Sequence, residues 1–111
     1  MALTVSSSTS GDVATITLAG ELDGATAPQF RDEVEKAAAN PLRRLVLMVQ
    51  ELEYIASAGV RVLVYAKQKM GAIVEVYIVG AQEQILDTLR KTGVDRSVYL
   101  VDTYDEASVD G

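Results

Sequence analysis

The sequence predicts an α/β domain on a mixed β-sheet of four to five strands with three to four α-helices, in the order β-β-α-β-α-β-α-β-(α). Three observations predict it. Val13 to Ala19 alternates, with Ala14, Ile16 and Leu18 on one face and Thr15 and Thr17 on the other, the period of a half-buried strand. Leu45 to Val49 is apolar without a break, as in a central parallel strand covered on both faces. The stretches between such runs repeat their apolar residues at helical spacing, and strand-helix-strand units of this length imply right-handed crossovers.

The elements follow in order. Ala2 to Ser8 alternates weakly around Leu3 and Val5 and reads as a short edge strand, which runs into a Ser-Ser-Ser-Thr-Ser-Gly-Asp turn cluster. Gly20 to Gly24 ends the second strand. Thr26 and Gln29 have capping-box spacing, Pro28 is tolerated in a first turn, and Phe30, Val34, Ala37 and Ala38 place a helix over about Ala27 to Ala39. Asn40-Pro41 breaks it. A strand over Leu42 to Gln50 leads into a helix from Ser57 or Ala58 to Met70, patterned by Val60, Leu63, Val64, Ala66 and Met70, with Gly71 placed to close it in the left-handed conformation. Ile73 to Val79 is a further strand, interrupted only by Glu75. After Gly80, Ile85, Leu86 and Leu89 form a helical stripe, Arg90 and Lys91 suit its negative end, and Gly93 stops it. Val98 to Val101 is a last strand, and Tyr104 to Val109 is at most one or two helical turns.

Composition narrows the function. The 111 residues read as one domain, large enough to fold without staples. Cysteine and histidine are both missing. That removes thiol nucleophiles, disulfides, the usual zinc sites and the commonest proton shuttle, so no cofactor or metal is expected. Sixteen acidic against ten basic residues give a net charge of −6, which repels nucleic acid and anionic lipid. Apolar runs are too short to span a membrane, and Met1 to Gly11 lacks the basic start and apolar core of a signal peptide, so a cytoplasmic protein is expected.

Ligands of open α/β sheets gather beyond the carboxyl ends of strands. Two loops qualify, Gly20 to Pro28 and Tyr54 to Val60, with Gly80-Ala81-Gln82 as a third. Ser57 stands where a strand turns into a helix, and two readings are open. It is a helix N-cap, or it presents its hydroxyl where unsatisfied N–H groups and the helix dipole accept a phosphate. Asp23 is either a turn residue before Gly24 or, if the two loops are neighbours, a carboxylate that orients the Ser57 hydroxyl or holds a magnesium ion. Glu51 and Glu53 read as a solvated patch. With no histidine to act as base and no Gly-x-Ser-x-Gly, a serine hydrolase is not expected; Gly-x-x-x-x-Gly-Lys-Ser/Thr and Gly-x-Gly-x-x-Gly are absent as well.

Leu18-Ala19-Gly20-Glu21-Leu22-Asp23, the helix start Thr26-Ala27-Pro28, the strand ending in Tyr54-Ile55, and Ala56-Ser57-Ala58-Gly59-Val60 before a helix closing in Met70-Gly71 resemble a STAS domain. The nearest type is the stand-alone anti-sigma factor antagonist of bacteria, and the resemblance runs from about Leu3 to Ala107. Its most specific motif, Asp-Ser-Ser/Thr-Gly-Leu, is partly kept: Ser57 matches the phosphorylated serine, Ala56 replaces the aspartate, Ala58 the second Ser/Thr, and Gly59 and Val60 retain the rest. Asp23 matches the family's acidic position beside the phosphosite.

The resemblance implies a switch without catalysis of its own. Unmodified, it binds an anti-sigma factor that is also a GHKL-type serine kinase; phosphorylated on Ser57, it is released; a PP2C-type phosphatase resets it. Glu21, Asp23, Thr26, Tyr54, Ala56, Ala58, Gly59 and Arg61 are the residues expected to face a partner or nucleotide. The alternative is a STAS binding or scaffolding module that works on another protein or a nucleotide without phosphorylation. The apolar edge strand at Leu3 to Val5 offers a ladder for pairing with a second copy, as in a homodimer.

Overall fold

The computed structural model describes residues 2–104. Two strands, β1 (Leu3–Ser10) and β2 (Val13–Leu22), form an antiparallel hairpin that turns on Gly11 and Asp12, with Gly11 at a φ of 61°. A positive φ at the first turn residue is what a two-residue hairpin of the primed type needs. The serines expected to form the turn are therefore strand residues. They pair with Thr15 and Thr17 across the ladder at Ser8 and Ser6, because two residues suffice for the reversal.

Three further strands, β3 (Arg44–Ile55), β4 (Glu75–Val79) and β5 (Tyr99–Val101), add in parallel, so strand order in the five-stranded sheet is the order of the sequence. The crossovers contain α1 (Ala27–Ala38), α2 (Ser57–Met70) and α3 (Glu83–Thr92), the last followed by a 3₁₀ turn at Val94–Arg96. Each crossover steps the same way across the sheet. Connections of one hand then deliver every helix to one face. Phe30 and Val34 of α1, Leu63 and Ala66 of α2, and Ile85 and Leu89 of α3 accordingly share one core with Ile16, Leu18, Leu45, Leu47, Val76 and Ile78. On the other face Val13, Val46, Tyr77 and Val79 form a smaller cluster, flanked by Met48, Val101 and Tyr104. Tyr77 stacks on Tyr99 there at 4.8 Å, and the buried Arg44 guanidinium pairs with Glu75 at 2.8 Å.

Several boundaries differ from expectation, each for a tertiary reason. β3 does not stop at Gln50 but continues to Ile55, because two register shifts against β2 keep Leu52 and Ile55 turned toward the core while Gln50, Glu51, Glu53 and Tyr54 face out. β4 starts at Glu75, opposite Arg44; Ile73 has no strand to pair with and is 91% exposed. Gly71 has a φ of 87° but a ψ of 172°, so the chain leaves α2 extended, whereas Gly93 after α3 takes the left-handed form at φ 80°, ψ 0°. The helical turns expected at the end of the chain lie, from residue 105 on, outside the described residues. Among the described residues no helix is long and apolar enough to cross a membrane.

Candidate functional site

The last pair of the β2·β3 ladder is Leu22 with Ile55, and the Ala56 N–H donates to the Leu22 carbonyl at 2.8 Å. The loops leaving these two strands are thereby neighbours at the carboxyl edge of the sheet. Immediately beyond, Gly59 brings the head of α2 down onto both strands: a Cβ at this position would stand 2.6 Å from Leu22 Cγ and 3.0 Å from Ile55 Cγ1. Gly59 is buried, and the residues on the opposite side of the first turn are pushed outward.

Ser57 is the first residue of α2 and is exposed, while the N-cap position belongs to Ala56, extended at φ −93°, ψ 172°. Ser57 is therefore not the cap. A methyl side chain has no oxygen with which to cap the helix. The Ala56 carbonyl accepts from the N–H groups of Gly59 and Val60, whereas those of Ser57 and Ala58 have no acceptor among the described residues. Two donors at the positive end of a helix dipole are left pointing outward beside an accessible hydroxyl. One turn along, Arg61 Nη2 donates to Ser57 Oγ at 3.4 Å, as residues four apart on a helix can.

The facing loop is held by its own side chains. Thr26 is buried, and its Oγ1 accepts from the Asp23 N–H at 2.9 Å and turns its proton toward the Glu21 carbonyl at 2.8 Å and Asp23 Oδ1 at 3.1 Å. The expected capping box is absent, because this hydroxyl is engaged backward along the loop instead of capping α1. Asp23 Oδ1 also accepts from the N–H groups of Ala25 and Thr26, at 3.0 and 3.1 Å. The Thr26 N–H, then its hydroxyl, then the Ala25 N–H hold the Asp23 carboxyl below its ordinary value of 3.8. Its structural role is that of a turn residue; no hydrogen bond joins it to Ser57.

Between α1 and α2 an open cleft of about 390 Å³ is lined by Gly24, Ala27, Arg31, Ala58, Arg61 and Tyr65, among others. Arg31 lies over the Tyr65 ring at 4.3 Å and reaches Glu35 at 4.0 Å. On the outer surface Tyr54 is 50% exposed, and Val64, a member of the apolar helical pattern of α2, is 41% exposed. Of the residues expected to face a partner, Tyr54 and Arg61 are exposed, as is the expected phosphosite Ser57, and Glu21, Asp23, Ala56 and Ala58 are half-buried. Thr26 and Gly59 are buried and shape this surface from beneath. Arg31 and Tyr65 carry no motif that marks them in the sequence, and Val64 enters it as part of the helical pattern; its i, i+7 spacing from Ser57 is the signal that places it on the same face.

The mixed sheet with all helices on one face and a serine at the head of α2 define the class, and the chain belongs to the STAS domain family, whose model matches residues 4–107. Within that class it is 24% identical over 105 residues to the anti-sigma-F factor antagonist RsfB of Mycobacterium tuberculosis, an alignment covering 95% of this chain and 86% of RsfB. Its fold is that of an anti-sigma factor antagonist from Mycobacterium paratuberculosis, with a TM-score of 0.87, 23% identity and coverage of 98% and 93% of the two chains. It also resembles the Bacillus cell fate determinant SpoIIAA in its phosphorylated form, with a TM-score of 0.71, 17% identity and coverage of 98% and 97%.

Proposed function

We propose that this protein is an anti-sigma factor antagonist in the cytoplasm, with no catalysis of its own. Unphosphorylated, it binds an anti-sigma factor that is also a GHKL-type serine kinase; phosphorylation of Ser57 releases it, and a PP2C-type phosphatase restores it. The observation that carries this reading is the exposed Ser57 hydroxyl at the head of α2, beside two N–H groups without acceptors among the described residues. The named similarity to RsfB and to the phosphorylated SpoIIAA supports it.

In the transfer, Ser57 Oγ bonds to the γ-phosphorus of the kinase's ATP, the bond to ADP breaks, and the hydroxyl proton passes to a base of the kinase. The product gains about −1.5 to −2 charges where Tyr54, Ala58 and Val64 offer apolar contact to a docked protein, so repulsion and desolvation oppose the complex. Incubation with the candidate kinase and ATP, read by mass spectrometry, tests the assignment. Phosphate on Ser57 is expected; phosphate elsewhere, or none, overturns it.

The cleft with Arg31 and Arg61 favours a second reading, a module that binds a protein or a nucleotide without phosphorylation. On that reading Ser57→Ala and Ser57→Asp bind the partner alike. Self-association is proposed through β1, the eight-residue strand at the edge of the sheet among the described residues, and sedimentation at rising concentration checks it.

A further inference from the structure

Arg61 and Arg96 are the two arginines with no carboxylate partner among the described residues, and of the two it is Arg61 that faces the Ser57 hydroxyl. Arg31, Arg43, Arg44 and Arg90 each reach a carboxylate, in a chain of net charge −6. The polar partner of Arg61 among the described residues is instead the neutral Ser57 hydroxyl, at 3.4 Å. That distance exceeds the roughly 2.7–3.2 Å of a well-formed N–H···O bond, so the guanidinium is aimed at Oγ without being fastened to it. A phosphoryl group on Oγ adds three strong acceptor oxygens in the intervening space, matched to the planar fork of a guanidinium. The side chains of Ala56 and Ala58 place no charge or competing acceptor beside it, and the N–H groups of Ser57 and Ala58 have no acceptor among the described residues.

We propose that Arg61 is this chain's own receptor for the phosphoryl group: its guanidinium clamps the phosphate on Ser57 together with the free N–H groups of Ser57 and Ala58. This rests on the reading that Ser57 is the modified residue. The consequence is a double change at the docking surface. Phosphorylation adds an anion and simultaneously removes the one cation that α2 presents beside it, so the modified surface differs from the unmodified one in both sign and shape. Arg61 is a positioning residue here, since it acts on the phosphate and not on the transfer.

The test uses the full chain with phosphoserine installed at position 57 during translation, so that no kinase is required. The second ionisation of the phosphate, ordinarily near pH 6, is followed by ³¹P NMR. It is expected about one unit lower in the wild-type background than in Arg61→Gln, with Arg61→Lys between them and the difference shrinking in about 1 M salt. Arg31→Gln, whose side chain is engaged by Glu35 and Tyr65, leaves the value unchanged. Equal values in wild type and Arg61→Gln overturn the clamp, and so does an equal rise in Arg31→Gln, which assigns the effect to the general field of the cleft. The Arg61 Nε–H resonance supplies a measurement without a variant: it moves downfield when position 57 is phosphoserine, and an unmoved resonance also overturns the proposal. A flat result with working kinase control removes the clamp alone. A shifted titration with no modification by any kinase removes the switch alone.

Discussion

Gly59 and Leu22 are in such close contact that a Cβ on the glycine would stand 2.6 Å from Leu22 Cγ and 2.8 Å from Leu22 Cδ2. Helix propensity on its own favours alanine over glycine there by about 1 kcal/mol. Packing wins, because a methyl group at 2.6 Å from Leu22 Cγ must displace a fully buried side chain. Gly59→Ala is expected to destabilise the fold by about 1–3 kcal/mol in denaturant titrations and to shift the amide resonances of residues 56 to 61. A gain in stability would show that the helix head is not seated as described.

Ser57 is exposed, and among the described residues its side chain is bonded only to Arg61, so its substitution should leave stability within about 0.5 kcal/mol. Binding is where the variants part. Ser57→Ala keeps affinity for the anti-sigma partner, and Ser57→Asp lowers it by about tenfold or more, as an added charge at a desolvated contact does. Calorimetry against the candidate partner measures both; indistinguishable affinities favour the phosphorylation-independent module.

Ala56 leaves α2 without a side-chain cap although its backbone is already extended as a cap requires. Ala56→Asp should therefore stabilise the unmodified protein by about 1 kcal/mol, by accepting from the free N–H groups of the first turn. The same carboxylate competes with a phosphate for those donors and repels it. In the protein carrying phosphoserine at position 57 the stabilisation should vanish or reverse, and thermal melts of the four combinations of position 56 and position 57 read this coupling directly.

Asp23 links loop structure to pH. Its carboxyl is held below the ordinary 3.8 chiefly by the Thr26 N–H and hydroxyl, so between the folded value and 3.8 the unfolded chain binds more protons. Its contribution to stability is present above about pH 4 and is lost as pH falls through the folded value. Asp23→Asn flattens the stability profile in this acid range, and Thr26→Val raises the Asp23 titration while removing a buried hydroxyl that joins Glu21 to Asp23, at a cost of about 1–3 kcal/mol. Carbon-detected NMR titration of the Asp23 carboxyl from pH 6 to pH 2 checks the direction.

What could be read from sequence were the features set by neighbours a few residues away. The alternation of Ala14, Ile16 and Leu18 specifies a strand with one buried face whatever lies across it, and each of the three is at most 1% exposed. Gly93 stops α3 because it takes the left-handed form without strain, and the apolar run at Leu45 implies a strand inside the sheet. The order of elements and the position of Ser57 at the start of α2 follow from the same short-range periodicities. The spacing of four between Ser57 and Arg61 was also legible as a shared helix face.

Tertiary structure decided the rest, because these features depend on partners far along the chain. The register shifts that carry β3 on to Ile55 exist only against β2, and the exposure of Ile73 follows from β3 beginning at Arg44. The Thr26 hydroxyl chooses Glu21 and Asp23 over its own helix because the loop folds back within 3 Å of it. Val64 belongs to an apolar helical pattern, yet a single-faced helical layer leaves its side of α2 in solvent. Local periodicity names which residues share a face; only the meeting of distant strands determines which faces are covered.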